Sequence, residues 1–460
     1  MASAAEQLAQ HINFASFAKA KELQNRIWFT LIALVVYRLG TFIPIPGVDP
    51  LALEQIFRQM RESSGGGGLL GMFNVLAGGA VERMAIFALN VMPYISASII
   101  VQLLSSVVPS LERLKKEGEA GRKQLNQYTR YLTLALAIVQ SFGIAVTLQG
   151  QRFTSPGGME MPLVPDPGFF FIATTVITLT GGAMLLMWIG EQITARGVGN
   201  GISLIIFAGI VAGALPLLVR MLGDAAAGTI DGLVLFGVLA VLAAMTVMIV
   251  FIERSLRRIL IQYPKRQVGN RMFMGESTFL PLKINTAGVI PPIFASSLLL
   301  LPATVFTAMG AGPDAPQWLR DAAGALQYGS PWHVALYAIG IIFFCFFYTS
   351  IVFNPEETAD NLRKSGGFVP GIRPGKNTAN YLDYVLTRLT VIGAGYITFV
   401  CILPEVLAGA ASFTAFQAGG TSVLIVVSVT LDTVNQIQSH LVAHQYEGLI
   451  KKSKLRGGKR

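Results

Sequence analysis

The residues Ala88-Leu89-Asn90-Val91-Met92-Pro93-Tyr94-Ile95-Ser96-Ala97-Ser98-Ile99-Ile100-Val101-Gln102-Leu103-Leu104 are apolar enough to cross a bilayer, yet a proline and three hydroxyl-bearing side chains interrupt them. A membrane tolerates broken backbone only where the protein itself, or a cavity, satisfies the freed polar groups. The interruption recurs. Val289-Ile290-Pro291-Pro292-Ile293-Phe294-Ala295-Ser296 follows the order of Val91-Met92-Pro93-Tyr94-Ile95-Ser96-Ala97-Ser98, with five of eight positions identical. A second echo sets Gly201-Ile202-Ser203-Leu204-Ile205-Ile206 against Gly420-Thr421-Ser422-Val423-Leu424-Ile425. Two matched pairs in the same order imply two related halves, and interrupted spans at corresponding places mark the working centre of a transport protein.

Composition agrees that lipid is the solvent. Only 13% of the 460 residues are charged and 53% are hydrophobic, whereas soluble chains carry about 25% charge. Ten stretches approach the roughly 20 apolar residues that a spanning helix needs: about 27–45, 84–107, 131–149, 169–190, 201–221, 232–252, 286–308, 332–353, 387–408 and 420–439. The expected fold is all-α, a polytopic membrane protein of ten transmembrane helices in two inverted pseudo-symmetric halves. Its expected divisions are a tail 1–26, halves 27–221 and 222–439, and a basic tail 440–460. Met1 to Arg26 shows no cleavable-signal pattern, so the N-terminus is expected to stay.

Charge sets the orientation. Roughly 28 of the 35 basic residues fall in or beside the N-tail, 108–130, 191–200, 253–283, 354–386 and the tail from His440, which places these segments and both termini in the cytoplasm. The spans holding Pro93 and Pro291 then run in opposite directions, as do those starting at Gly201 and Gly420. Both echoes read as inverted repeats about an axis in the membrane plane.

Catalytic signatures are missing. The sequence has no HExxH, P-loop or nucleophile elbow, its four histidines are scattered, and no metal or cofactor site is expected. Cys345 and Cys401 lie in apolar runs and read as packing residues. The charges noted within spans are Arg38, Glu191, Arg388 and Asp432; the last three lie near predicted ends, where they snorkel. Arg38 is deeper, and is either a functional group or a structural one paired with a partner's acid or a backbone carbonyl. The segment Leu69–Gly79, rich in glycine, is either a linker with an interfacial turn or a half-helix folded back into the interior.

What remains at the centre is aliphatic. Val91 and Ile95 share a helix face, as do Ile202 and Ile206, and Ile293 and Ile425 hold the equivalent places in the echoes. Converging at the symmetry axis, these six would form an apolar collar that excludes water and ions by dewetting. The alternative is ordinary helix packing. A secondary transporter is the rival function, which too few ionisable groups and large basic loops oppose; an intramembrane enzyme stands third.

Six pieces carry a resemblance: Phe42-Ile43-Pro44-Ile45-Pro46-Gly47, Met92 to Ile100, Lys115-Lys116-Glu117-Gly118-Glu119, Gly190-Glu191-Gln192-Ile193-Thr194, Asn354 to Asn361, and Phe368 to Gly375. With these the chain resembles the bacterial SecY family, the central subunit of a protein-conducting channel in the cytoplasmic (inner) membrane. The resemblance implies a channel, not an enzyme, that passes unfolded secretory polypeptides and releases membrane helices sideways into the lipid bilayer. It implies a pore ring of Val91, Ile95, Ile202, Ile206, Ile293 and Ile425, with valine at 91 where the family often has isoleucine. It also implies a plug at about 65–79, including Leu69, Leu70, Met72, Phe73, Asn74 and Val75. The implied lateral gate has Pro93, Ser96, Gln140, Asn285 and Pro291. Docking of the SecA ATPase and the ribosome falls to Arg257, Arg258, Lys265, Arg266, Arg271 and Arg373, with Asn270 where the family commonly has arginine. Implied partners are SecE, SecG, SecA, the ribosome, signal sequences and the nascent polypeptide.

Overall fold

The computed structural model describes residues 21–48, 53, 74, 77–150, 152–154, 160–228, 231–264, 266–268, 271–273, 277–310, 316–326, 330–411 and 419–457. The helices are α1 (Lys21–Gly40), α2 (Met92–Val107), α3 (Pro109–Lys116), α4 (Glu119–Gly150), α5 (Phe169–Arg196), α6 (Gly201–Ala226), α7 (Gly232–Glu253), α8 (Ile290–Gly310), α9 (Gln317–Ala325), α10 (Pro331–Val352), α11 (Pro355–Lys364), α12 (Lys376–Ala411) and α13 (Gly419–Gly457). Three small antiparallel hairpins join β1 (Arg152–Thr154) to β2 (Glu160–Pro162), β3 (Leu256–Gln262) to β6 (Ser277–Lys283), and β4 (Arg266–Val268) to β5 (Arg271–Phe273).

Each expected span falls wholly or partly on a helix. Among the described residues seven helices are long and apolar enough to cross a membrane (α4, α5, α6, α7, α10, α12 and α13). The chain is therefore a multi-pass, all-α membrane protein. Three expected spans are corrected at their ends: 27–45 is helical only to Gly40 and 286–308 only from Ile290. The span read as 84–107 is helical only from Met92, because Met84 (φ 40°) and Asn90 (φ 49°) take left-handed backbone that no helix accommodates.

The chain divides into two compact units: Met1–Val101, Leu114–Gly223 and Ile425–Arg460, and then Gln102–Arg113 and Asp224–Leu424. In lipid, helices gain nothing from apolar burial against one another, so close packing and polar links hold them. The first unit uses both. Ser141 and Thr180 link α4 to α5 at 3.4 Å, and Arg130 Nε and Nη2 donate to Glu191 at 2.9 and 2.6 Å. Its core gathers Ile45, Met84, Leu89, Leu163, Phe171 and Leu179. In the second unit Phe294 of α8 meets Phe344 and Tyr348 of α10 edge-on, with centroids 5.7 and 6.4 Å apart. Gly340 lets the two helices close: a Cβ there would sit 3.1 Å from that of Ala295.

Candidate functional site

Both sequence echoes have matching backbone. α2 begins at Met92 and α8 at Ile290, which are equivalent positions. Two residues earlier, Asn90 (φ 49°) and Gly288 (φ 65°), also equivalent, both turn through left-handed backbone. Proline at the second helical position, Pro93 or Pro291, costs no intrahelical bond because that N–H is an orphan anyway. The second echo behaves likewise. A Cβ on Gly201 would run into the carbonyl of Gly190 on α5, and one on Gly420 into the carbonyl of Val400 on α12. Each glycine thus lets a helix start directly on the backbone of the helix before it.

Ahead of α2, residues 77–91 are non-helical; local turns satisfy part of their backbone, and α1 and its following turn satisfy another part. Ile45 N donates to Met84 O at 2.9 Å and Ile86 N to Ile43 O at 3.0 Å, which gives the Phe42–Gly47 motif its role as a pairing ledge. The Arg38 guanidinium donates to the Gly78 carbonyl at 2.6 Å. Of the alternatives open from sequence, the backbone carbonyl is the partner found. Tyr37 OH reaches Ala77 O at 3.5 Å. Asn74, described within the glycine-rich region, clasps Glu82: its Nδ2 donates to Oε2 at 3.0 Å and its Oδ1 accepts from Glu82 N at 2.9 Å. Leu69, Leu70, Met72, Phe73 and Val75 lie outside the described residues.

Of the six residues expected to form a collar, Val91, Ile95, Ile202, Ile206 and Ile425 belong to the first unit and Ile293 to the second. Val91, Ile95, Ile206 and Ile425 are buried, while Ile202 and Ile293 are half-buried. Ile202 lies over Gly190, where an added Cβ would stand 2.9 Å from its Cγ1. Of the polar residues expected at a gate, Ser96 is buried on α2 and Gln140 half-buried on α4. Asn285 is buried in the second unit. Its Nδ2 donates to Glu253 Oε1 at 2.6 Å and Gly288 O at 3.2 Å, and its Oδ1 accepts from Gly288 N at 3.0 Å. Its amide therefore fixes the turn that launches α8. The acid that meets it, Glu253, ends α7 and went unnoticed in the sequence, although the two residues bracket one basic loop.

The two basic loops are joined. Gln262 N donates to Phe368 O at 2.9 Å and Phe368 N to Gln262 O at 3.0 Å. Ile259, Leu282, Val369 and Leu382 pack beneath them. Arg257 and Arg258 on β3 and Arg373 in the second loop are exposed. Arg266 and Arg271 fall on β4 and β5, where the register pairs Arg266 with Phe273 and Val268 with Arg271; Lys265 lies outside the described residues. The Asn354 motif is helix-capping chemistry: Asn354 Oδ1 accepts from Glu356 N at 3.1 Å and Glu357 N at 3.3 Å. Glu356 and Glu357 in the first turn and Arg363 and Lys364 in the last complement the dipole of α11.

A further charge within a span, not among the four noted from sequence, sits in the second unit. Glu405 on α12 is 2% exposed, and its Oε1 lies 2.9 Å from Nδ1 of His333, 6% exposed, on α10. One turn along, Tyr337 OH and Thr421 Oγ1 are 2.8 Å apart. Cys345 and Cys401 are free and buried. Among the described residues no cluster of three or more His, Cys, Asp or Glu could hold a metal.

Comparison with known proteins places this arrangement. The SecY family profile matches residues 85–434. The chain is 53% identical to the protein translocase subunit SecY of Escherichia coli strain K12, over 95% of this chain and 96% of that one. It is 51% identical to the same subunit of Pseudomonas aeruginosa, over 95% of each chain, and 51% identical to that of Rickettsia bellii, over 95% and 98%. Among solved structures, one described as a protein conducting channel superposes with TM-score 0.64 at 18% identity, over 90% of this chain and 92% of the other. Sec61 in a canine ribosome-channel complex gives 0.61 at 17%, over 90% and 92%.

Proposed function

This chain belongs to the SecY family, and on that premise we propose that it is the protein-conducting channel of a bacterial cytoplasmic membrane. It is a passive path through which unfolded secretory polypeptides cross and from which membrane helices leave sideways into lipid. The observation that carries the reading is near-complete correspondence, at half identity, with chains that are translocase subunits. The local structure supports it, since both interrupted helices begin at equivalent residues after a left-handed turn. A device built twice suits a path formed where two halves meet.

In this reading Val91, Ile95, Ile202, Ile206, Ile293 and Ile425 form the constriction. Branched hydrocarbon demands no particular hydrogen bond from a passenger and dewets when none is present. The glycine-rich segment at 65–79 closes the resting path from outside. α2 and α8, with Ser96, Gln140 and Asn285, border the lateral exit. The bridged basic loops face the cytoplasm, as do both termini, and there Arg257, Arg258, Lys265, Arg266, Arg271 and Arg373 receive SecA or the phosphate-rich RNA of a ribosome. SecE and SecG complete the complex, and energy comes from the partners.

The test is reconstitution. Vesicles holding this chain with SecE and SecG, given SecA, ATP and an unfolded secretory precursor, should protect the precursor from external protease. Precursor that stays fully digestible while SecA hydrolyses ATP normally would overturn the proposal.

A further inference from the structure

We propose that Arg38 is a positioning residue for the constriction: its guanidinium pins the arc 77–83 against α6, one turn outward of Ile206. The inference rests on the constriction reading above and assigns the group that sets its geometry within the first unit.

Non-helical backbone at membrane depth must find partners inside the protein, and the arc finds two kinds. At 84–86 it pairs with the ledge at 43–45 through neutral backbone bonds. At Gly78 a cation does the holding, at 2.6 Å, and a hydrogen bond from a charged donor is the stronger kind. Gly78 itself is boxed in. Its φ is +64°, and an added Cβ would lie 2.9 Å from Arg38 Nη1 and 3.1 Å from both Cα and O of Gly209. Gly209 is on α6, three residues beyond Ile206. The guanidinium therefore holds the arc at the point where its backbone touches the backbone of a ring-bearing helix.

The cation is itself fixed. It sits in the last turn of α1, where the helix dipole favours positive charge. Nη1 also lies 3.4 Å from Thr41 Oγ1, and Cζ stands 4.9 Å from the Phe42 ring, which Arg83 approaches as well at 4.3 Å. A lysine in place of Arg38 keeps the charge but loses the planar fork that binds Gly78 while resting against Phe42. An arginine in so apolar a segment is costly, and a helix end needs no such group to form. Holding the arc gives it a purpose.

The test measures resting ion conductance and the thermal unfolding midpoint of the reconstituted complex for Arg38→Met, Arg38→Lys, Gly78→Ala and the double variant R38M/G78A, with Ile206→Gly as the control for the constriction. Loss of a charged hydrogen bond should raise the open fraction about tenfold. We expect R38M and G78A each to leak to that extent, R38M with a midpoint near that of the unsubstituted protein and G78A, strained at φ +64° and pressed on Gly209, with a lower one. R38K should leak less, and the double variant no more than the worse single, because both substitutions break one contact. If R38M fails to accumulate, G78A and R38K carry the same test. A tight R38M beside a leaky Ile206→Gly overturns this proposal alone, as does strictly additive leakage in the double variant. Tightness of all variants, Ile206→Gly included, overturns the constriction reading instead.

Discussion

The buried pair His333–Glu405 offers the sharpest energetic prediction. Both side chains are nearly inaccessible, at 7% and 2%, and they meet at 2.9 Å. Substituting Glu405→Leu takes away the carboxylate oxygen that meets His333 Nδ1 at this buried site. Breaking a buried pair from one side costs about 3–5 kcal/mol, while replacing both partners by hydrocarbon is often nearly neutral. His333→Leu together with Glu405→Leu should therefore recover much of what the single change loses, with a coupling energy on the order of 1–3 kcal/mol. Glu405→Gln, which keeps an acceptor, should fall between. The assay is denaturant or thermal unfolding of the purified complex in detergent, run as a double-mutant cycle. Translocation at a permissive temperature should change little, since neither residue is placed in the path. Glu405→Leu within about 0.5 kcal/mol of the unsubstituted protein, the scatter of surface substitutions, would refute the reasoning.

Other outcomes follow from the same geometry. Gly201→Ala and Gly420→Ala each push a methyl into a backbone carbonyl, and both should lower stability by about 1–3 kcal/mol in the same unfolding assay. Asn354→Ala removes the cap of α11 and should cost about 1 kcal/mol, read as earlier proteolysis of the second basic loop. Arg373→Glu reverses an exposed charge in that loop; it should abolish SecA-dependent transport without moving the unfolding midpoint, and normal transport by this variant would remove the loop's docking role.

Much of the architecture was legible because lipid imposes a crude rule, about 20 apolar residues per span, and the echoes added finer detail. The Val91/Val289 echo predicted equivalent places, and the helices there do start at equivalent residues, Met92 and Ile290; the Gly201/Gly420 echo matches to within one residue, with starts at Gly201 and Gly419. Hydropathy alone failed at 84–91, since it does not register that Met84 and Asn90 take positive φ. The partner of Arg38 stayed open because it is a main-chain carbonyl forty residues on, and every residue offers one. Glu405 is hard to read from sequence for a similar reason. Its context is apolar, and the histidine that compensates it is 72 positions away, brought near only when α10 and α12 pack. Asn285 stands out by resemblance alone, and its bonds to Glu253 and Gly288 show a turn-fixing task that spacing does not reveal.

The measurement that bears most directly on the channel reading is site-specific crosslinking of a stalled secretory precursor to cysteines placed one at a time at Val91, Ile95, Ile202, Ile206, Ile293 and Ile425, with Trp28, Val247 and Phe251, exposed large apolar side chains elsewhere on the surface, as controls. The six should capture the threaded chain and the controls should not. Capture by the controls with none at the six would contradict the account.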